Sequence, residues 1–135
     1  MQADMLELSK YRMLKAKECL ADAQDAFEES RLANSINRSY YAMFHATRAL
    51  LAIDSFDSKK HSSILGYFNQ QYIASKRVET NYYQMLANAF RVRNKTDYDD
   101  FYIVSREETL QQLNNAQTFI TFMNAFIDSL IEISE

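Results

Sequence analysis

The chain has 135 residues, which is the size of one domain and enough to bury a hydrophobic core. Its 15 Lys and Arg stand against 18 Asp and Glu, and the formal net charge of −3 excludes a protein that binds duplex nucleic acid through overall positive charge. With one glycine and no proline, the chain is poor in the residues that form turns and end helices. We therefore predict one all-α domain over residues 1–135.

Apolar side chains spaced three and four residues apart predict five helices. Ser58 is the predicted N-cap of the third helix. Ser105 and Glu108 form a predicted capping box at the start of the fifth, in which each side chain satisfies a free backbone donor of the other residue. The predicted helices span about 4–30, about 34–53, the residues after Ser58, about 80–97, and the residues after Ser105.

The sequence contains no recognisable targeting segment. Acidic residues near the N-terminus and the lack of an apolar run there are unlike a secretory signal, and no apolar run approaches the roughly 18 residues that span a bilayer. The single cysteine, Cys19, has no internal disulfide partner and lies on a helical stripe, where we expect it to pack rather than to react. We predict a cytoplasmic protein with no membrane contact.

The predicted fifth helix carries two neighbouring apolar stripes. One stripe is enough for a bundle core, so the second points to a further buried surface. A homodimer through this C-terminal helix is one explanation, and a central helix buried on several sides of a monomer is the other. Of the two we favour the dimer. The first stripe comprises Leu113, Ala116, Ile120, Met123, Ile127 and Leu130, and the second Phe119, Phe122, Phe126 and Ile133.

The segment NRSYYAMFHATRALL (37–51) places four polar side chains on one helix face. At about 100° per residue, Arg38, Tyr41, His45 and Arg48 fall within about a quarter turn of one another. A solvated face does not need tyrosine or histidine, because lysine and glutamate serve there. The row is therefore a candidate ligand-binding face. The alternative is that the arginines pair with acidic neighbours and that His45 is a hydrogen-bonded core residue.

The segment FRVRNKTDYDD (90–100) is a second polar cluster. Arg93 and Asp97 are four residues apart, which a salt bridge along the helix surface, worth about 0.3–0.5 kcal/mol, would explain. Asn94 and Tyr98 follow on a neighbouring face. The planar fork of arginine suits phosphate, and tyrosine can stack on a base. We therefore take Arg93, Asn94, Asp97 and Tyr98 as candidate ligand contacts.

A third cluster is KKHSS (59–63). Two lysines at a predicted helix start oppose the helix macrodipole, and a bound anion would relieve that conflict. Lys59 and His61 are therefore candidate ligand contacts. His61 also lies on the apolar stripe of the third helix, so a satisfied core histidine is the alternative for it.

The sequence lacks the motifs of several common metal and phosphate sites. Neither CxxC nor HExxH occurs, and two histidines with one cysteine do not make a zinc site. The single glycine, Gly66, lies inside a predicted helix, so there is no glycine-rich phosphate loop. We predict neither a metal nor a cofactor.

Three blocks, NRSYYAMFHATRALL (37–51), KKHSSILGYF (59–68) and RNKTDY (93–98), resemble in order and spacing the small stand-alone bacterial and archaeal HEPN-domain proteins. The resemblance covers about residues 4–130. It implies an up-and-down helical bundle, often dimeric with a polar cleft between protomers, and a toxin–antitoxin pairing with a small nucleotidyltransferase.

The same resemblance implies a motif for metal-independent RNA cleavage. In that motif an arginine is usually followed by a polar residue, and a histidine comes after four to six intervening residues. Arg93 and Asn94 match the start, but Tyr98 stands where the histidine would be. Tyrosine, with a reference pKa of about 10, transfers protons poorly near neutral pH. Arg38 and His45 also have the motif's spacing, on a different helix.

We predict that the row on the second helix and the end of the fourth line one crevice that binds a nucleotide or RNA. Arg38 and Arg93 would contact the anion, His45 would donate a hydrogen bond or carry a proton, Tyr98 would stack, and Asp97 would orient Arg93. The first alternative is an RNase in which Arg93 and His45 are catalytic. The second is a structural interaction module stabilised by internal salt bridges.

Overall fold

The computed structural model describes residues 2–134, and over that range it contains helices and no strand. A single π-helical turn, Asn69–Ile73, extends the third helix. The predicted all-α bundle of five helices is confirmed. No helix in the described range is both long and apolar enough to cross a membrane. The helices are α1 (Ala3–Glu28), α2 (Leu32–Ile53), α3 (His61–Phe68), α4 (Thr80–Tyr98) and α5 (Arg106–Ser134).

Helices α1 and α2 form a close antiparallel pair. Alanines along the contact, such as Ala16 on α1 and Ala46 on α2, have no exposed surface, and their small side chains let the two backbones approach. Ser35 Oγ donates to the carbonyl of Ala23 at one end of the pair (2.8 Å), and Ser9 Oγ donates to a carbonyl of α2 at the other. This pairing fixes α2, which carries the predicted polar row, against α1.

The hydrophobic core lies between the five helices and the π-helical turn after α3. Tyr40, Leu50, Phe68, Leu86 and Met123 are among its fully buried members. Because α2 packs against all the other helices, its polar row can lie only along the edges of those contacts. The core therefore sets which face of α2 remains for a site.

The prediction that Ser58 caps α3 is wrong. The helix begins at His61, and its N-cap position is Lys60. Ser58 Oγ accepts a hydrogen bond from the Lys60 N–H (3.1 Å), so its hydroxyl closes a local turn instead of a helix end. The preceding Asp57 is bound by two arginines, and this holds the segment in a turn up to Lys60.

The predicted capping box at the start of α5 is half formed. The Glu108 N–H donates to Ser105 Oγ (3.0 Å), as expected for an N-cap serine. The Glu108 carboxylate does not return to the backbone of Ser105. It accepts a hydrogen bond from the Tyr102 hydroxyl, because the loop before α5 folds back over the helix start.

The second apolar stripe of α5 is largely covered by the chain itself. Phe119 is fully buried, and Phe122 stacks on Tyr82 with ring centres 3.9 Å apart. Phe126 packs against Tyr72 of the π-helical turn after α3. These contacts fit the alternative of a central helix buried on several sides. Ile133 is exposed. The stripe alone therefore does not require a partner, and the homodimer stays a prediction.

Candidate functional site

The polar faces of α2 and α4 meet at Tyr41 and Arg93. Arg93 Nη2 donates to the Tyr41 hydroxyl (3.0 Å), and its Cζ lies 5.2 Å from the centre of the Tyr41 ring and 5.6 Å from that of Tyr40. The Arg93 side chain is 14% exposed, so its charge is held among aromatic faces, where cation–π attraction gains from desolvation. The contact joins the two helices that the sequence predicted to share a site.

Two further side chains contact the Arg93 guanidinium, and a third holds one of them. Nη1 donates to Asn94 Oδ1 (3.0 Å). Nε lies 3.0 Å from Asp97 Oδ2, but its N–H does not point at that oxygen, so the contact is an ion pair and not a hydrogen bond. Asn37 donates to the same Asp97 oxygen (3.3 Å). Each Nη atom carries two N–H groups, and the side-chain hydrogen bonds within residues 2–134 use one on each.

Helix α3 brings His61 against this junction. Its ring stacks on Phe44 with centres 4.2 Å apart, and its Nδ1 lies 2.7 Å from the hydroxyl of fully buried Tyr40. Burial raises the pKa of Tyr40, so the hydroxyl keeps its proton, and we assign it as the donor to Nδ1. Burial, then the charges of Arg93 and Arg48, lower the pKa of His61. The ring is therefore neutral near pH 7, with Nε2–H as its free donor.

These side chains border an open cleft of about 560 Å³ between α3 and α4. Tyr98, 74% exposed, presents its ring beside Arg93, with the ring centre 5.8 Å from Cζ. A cation, a neutral imidazole donor and an accessible aromatic face suit a phosphate next to a base. We call it the Arg93 cleft, and it is lined by His61, Ser62, Phe90, Arg93, Asn94 and Tyr98.

Arg38 and His45 lie beside Tyr41 but do not line the Arg93 cleft. Arg38 donates to Asn37 Oδ1 from Nε (3.0 Å) and Nη2 (2.6 Å), and its Cζ lies 5.2 Å from the centre of the Tyr41 ring. The His45 ring centre lies 5.9 Å from that of Tyr41. The structure thus brings Tyr41 to Arg93, and it places Arg38 and His45 at the contact of α2 with α1.

Arg48, at the far end of the row, belongs to an ion-pair cluster. Its Nη2 donates to both carboxylate oxygens of Asp57 (3.0 and 2.9 Å), and Arg12 Nη2 donates to Asp57 Oδ2 (2.9 Å). Burial alone would raise the pKa of Asp57, but hydrogen bonds from Arg48 and the Ser58 N–H and the charges of both arginines lower it. The arrangement fits the structural alternative for Arg48. Lys59 is exposed and does not line the cleft.

Two other features bear on what can bind here. A second concavity, between the end of α1 and the start of α2, is lined by Asp22, Asp25 and Glu29 beside Arg31 and Arg38, and its carboxylates would repel a phosphate. Over residues 2–134, no group of three or more His, Cys, Asp or Glu side chains is placed to hold a metal ion.

The sequence profile of the HEPN domain matches residues 9–126. The chain belongs to the HEPN domain family. The resemblance noted in the sequence is confirmed.

Relatives of this HEPN domain come from archaea and bacteria. A protein of Archaeoglobus fulgidus named "UPF0332 protein" is 31% identical and aligns with 87% of this chain and 90% of its own. A protein of the same name from Thermotoga maritima is 27% identical, with 92% and 94% covered. A Methanocaldococcus jannaschii protein named "Putative toxin" is 25% identical, with 96% and 91% covered.

This HEPN domain differs from the motif that its sequence resembles in where the imidazole comes from. Tyr98, at the position of the motif histidine, faces Arg93 with its ring. The imidazole that lines the Arg93 cleft is that of His61, from α3. His45, the other histidine, lies beside Tyr41 and outside the cleft.

Four residues of the site were not predicted from the sequence. Tyr40 is buried on the apolar face of α2, where helical spacing gives no sign of a polar role, but its hydroxyl reaches His61. Asn37 and Phe90 could have been found by helical spacing, because Asn37 precedes Tyr41 by four residues and Phe90 precedes Asn94 by four. Ser62 follows His61 directly and gave no signal of its own.

Proposed function

We propose that this HEPN protein binds a nucleotide or RNA phosphate in the Arg93 cleft, as the toxin-like component of a toxin–antitoxin system. One observation carries the proposal: a mostly buried arginine lines an open cleft, and its hydrogen bonds to Tyr41 and Asn94 use only one N–H of each Nη atom. An arginine whose conformation is already fixed loses little entropy when it binds an anion.

Each side chain of the cleft has a role in this proposal. Arg93 contacts the phosphate through the second N–H of each Nη atom, and His61 adds a hydrogen bond from Nε2–H. The exposed ring of Tyr98 stacks on the base. Asn94 both anchors the guanidinium and offers its amide donors to the ligand, while Asp97 partly balances the charge of Arg93 at one edge.

The chemistry of His61 favours binding over cleavage. Cutting RNA without a metal needs one group to remove the 2′-hydroxyl proton and another to protonate the leaving oxygen. In His61 the acceptor nitrogen, Nδ1, is taken by Tyr40, and the lowered pKa leaves little imidazolium to act as an acid. In the RNase alternative Arg93 is therefore in place, but the cleft lacks a suitable acceptor for the 2′-hydroxyl proton.

The test is RNA binding by two matched arginine variants of α4. Binding of a fluorescent hexanucleotide is measured for Arg93→Gln and for Arg91→Gln, which removes an exposed arginine two residues away. We expect Arg93→Gln to weaken binding about tenfold or more, as for loss of a charge-assisted phosphate contact, and Arg91→Gln to change it less than about twofold. Equal effects, or no binding by the unchanged protein, would contradict the proposal.

The same samples test the RNase alternative. We expect the RNA to stay intact during prolonged incubation with chelator present. Cleavage that disappears in both Arg93→Gln and His61→Gln would establish the enzyme reading instead. Cleavage lost in His45→Gln would favour the catalytic pair proposed from the sequence.

The proposed partner protein is a small nucleotidyltransferase. The support is the resemblance to HEPN proteins paired in this way and the name "Putative toxin" of the Methanocaldococcus jannaschii relative. We expect expression of this chain alone to slow growth of its host and coexpression of a neighbouring nucleotidyltransferase gene to restore it. Growth unaffected by the chain alone would argue against a toxin.

We also propose a homodimer through the C-terminal helix. Apolar side chains of α1 and α5, among them Leu14 and Ile131, line a groove bordered by Lys17 and Asp128. In a two-fold interface each lysine can meet the aspartate of the other copy, so the groove is complementary to itself. Light scattering should give twice the monomer mass, and Leu14→Glu should return the protein to a monomer.

A further inference from the structure

Arg93 fixes the orientation of the Asn94 amide in the Arg93 cleft. Arg93 Nη1 donates to Asn94 Oδ1 (3.0 Å). Because a guanidinium has donors and no acceptor, Oδ1 is the amide atom that faces Arg93, and Nδ2 is the atom at the other corner of the amide. None of the side-chain hydrogen bonds within residues 2–134 has Asn94 Nδ2 as its donor. What Asn94 adds to the lining of the cleft is therefore a pair of N–H donors.

The other polar side chains that line the cleft supply donors as well. Arg93 carries N–H groups and no acceptor. His61 accepts from the Tyr40 hydroxyl at Nδ1, so the N–H of its ring lies on Nε2. The hydroxyls of Ser62 and Tyr98 can rotate and can either donate or accept. The two acceptors of fixed orientation in the described lining, Asn94 Oδ1 and His61 Nδ1, are thus both taken by protein donors.

The carboxylate of Asp97 does not change this balance. Asp97 Oδ2 lies 3.0 Å from Arg93 Nε and accepts a hydrogen bond from Asn37 (3.3 Å). Asp97 does not line the cleft. A ligand in the cleft therefore meets N–H donors and rotatable hydroxyls.

Asn94 lies where it can contact a base. It precedes Tyr98 by four residues on α4, and side chains at that spacing are neighbours, with Cβ atoms about 5–6 Å apart. Tyr98 is 74% exposed, and in the proposed function a base stacks on its ring while Arg93, 5.8 Å away, contacts the phosphate. An edge of the stacked base is therefore within reach of the Asn94 N–H groups.

The two purines differ in what they present to a donor. Guanine has two neighbouring acceptors, N7 and O6, whereas adenine has N7 beside an amino group. An Asn94 N–H directed at this edge of guanine meets acceptors only. At the same edge of adenine, the amino group and Asn94 Nδ2 are both donors, and two donors cannot bond to each other, so one hydrogen bond is lost.

We propose that Asn94 makes the Arg93 cleft selective for purine nucleotides with an oxygen at position 6, as in guanine, over those with an amino group there, as in adenine. The inference rests on the proposed function, since it assigns base specificity to the same site. Asn94 reads the base, and Arg93 holds the Asn94 amide with its donors towards the ligand. The rotatable hydroxyls of Ser62 and Tyr98 can accept from an amino group, which keeps the selectivity modest.

The deciding experiment measures the binding of inosine, guanosine and adenosine monophosphate by NMR titration. Inosine has the O6 and N7 of guanine but lacks its 2-amino group, so it isolates the contact at position 6. We expect inosine and guanosine monophosphate to bind about equally, and each about fivefold more tightly than adenosine monophosphate, as for one hydrogen bond.

Asn94→Asp exchanges the donors for acceptors and should reverse the preference. Its added negative charge weakens all three ligands alike, because they carry the same phosphate, so the ratio of affinities is the readout. Asn88→Asp is the matched control. Asn88 is half-buried like Asn94 and also accepts a hydrogen bond from an arginine, Arg91, but it does not line the cleft. We expect Asn88→Asp to keep the fivefold ratio and Asn94→Ala to bring it to about one.

The outcomes separate this inference from the proposed function. If the nucleotides bind and Arg93→Gln weakens them, but the ratio is about one or is the same in Asn94→Asp as in the unchanged protein, the role of Asn94 is wrong and the Arg93 cleft stands. The same holds if inosine monophosphate binds like adenosine monophosphate. If no nucleotide binds the unchanged protein, both proposals fall.

The side-chain amide signals of Asn94 provide an independent check. They are the pair of signals that disappears in Asn94→Ala. We expect inosine monophosphate to shift one of them downfield, as for an N–H that donates to a carbonyl oxygen, and adenosine monophosphate to shift it less. Equal shifts with the two ligands would overturn the contact at position 6.

Discussion

Two arginine clusters lie at opposite ends of the polar row of α2, and they differ in what balances the charge. At one end Asp57 accepts hydrogen bonds from both Arg12 and Arg48, and Arg12 is only 8% exposed. At the other end Arg93 is enclosed by tyrosine rings, with Asp97 as an ion-pair partner at one edge. The first cluster pairs two arginines with one carboxylate, whereas the hydrogen bonds of Arg93 go to the neutral side chains of Tyr41 and Asn94.

The difference shows that an arginine's residue type and helix face do not decide its role. Arg48 and Arg93 have the same chemistry, and both were predicted to bind ligand. The shared carboxylate makes Arg48 part of the packing between α1, α2 and the connection to α3. In the proposed function Arg93 is the arginine that takes an external anion, because its hydrogen bonds go to neutral side chains and Asp97 is only an ion-pair partner at one edge.

The largest expected effect is at the Asp57 cluster. Asp57→Asn should lower the free energy of unfolding by about 2 kcal/mol, because Arg12 is left buried without its counterion, while the partial exposure of Asp57 keeps the loss below that of a fully buried pair. Urea denaturation measures the change, and RNA binding should be unaffected. A loss below about 0.5 kcal/mol would show that the cluster is not structural.

His45, between the two clusters, should make stability depend on pH. Its pKa in the folded protein, about 4, lies below the reference value of 6.5, because of burial and the surrounding cations. As pH falls from 6.5 towards 4, the unfolded chain therefore binds a proton that the folded chain cannot. The contribution of His45, on the order of 2 kcal/mol, is complete above pH 6.5 and lost through that window.

The measurement is unfolding free energy at several pH values for the unchanged protein and His45→Gln. The unchanged protein should lose more stability than the variant between pH 6.5 and 4. His61→Gln is the matched control, since it replaces the chain's other histidine, whose ring is held by Tyr40. Parallel curves for the unchanged protein and His45→Gln would contradict the prediction.

The sequence predicted the helices well because their apolar spacing is regular and proline is absent. It also predicted that the polar row of α2 and the end of α4 line one crevice; Tyr41 does contact Arg93, but Arg38, His45 and Arg48 lie outside the Arg93 cleft. The sequence did not show which arginine would be paired with a carboxylate. Asp57 lies in the connection between α2 and α3, and no local pattern specifies the path that brings it to Arg48. In the sequence His61 was only a candidate ligand contact. The Tyr40 hydroxyl that fixes its tautomer could not be predicted, because Tyr40 lies on a helix face whose pattern is apolar.

A smaller effect is expected when the Arg93 cluster loses one neutral partner. Tyr41→Phe keeps the aromatic ring and removes the hydrogen bond to Arg93 Nη2, which should cost about 1 kcal/mol of unfolding free energy. Tyr82→Phe is the control, because its ring stacks on Phe122 and its hydroxyl makes no side-chain hydrogen bond within residues 2–134. Equal losses in the two variants would mean that the Tyr41–Arg93 contact contributes nothing specific.

The smallest stability effect should come from Asp97→Asn, the counterpart of Asp57→Asn at the other cluster. Arg93 keeps Tyr41 and Asn94, and the Asp97 ion pair is poorly aligned, so the loss should stay below about 0.5 kcal/mol. RNA affinity should rise about twofold, because the carboxylate competes with phosphate for the same guanidinium. A loss as large as that of Asp57→Asn, or weaker RNA binding, would mean that Asp97 serves Arg93 as Asp57 serves Arg48. The two clusters would then differ only in their position, and not in how the arginine charge is balanced.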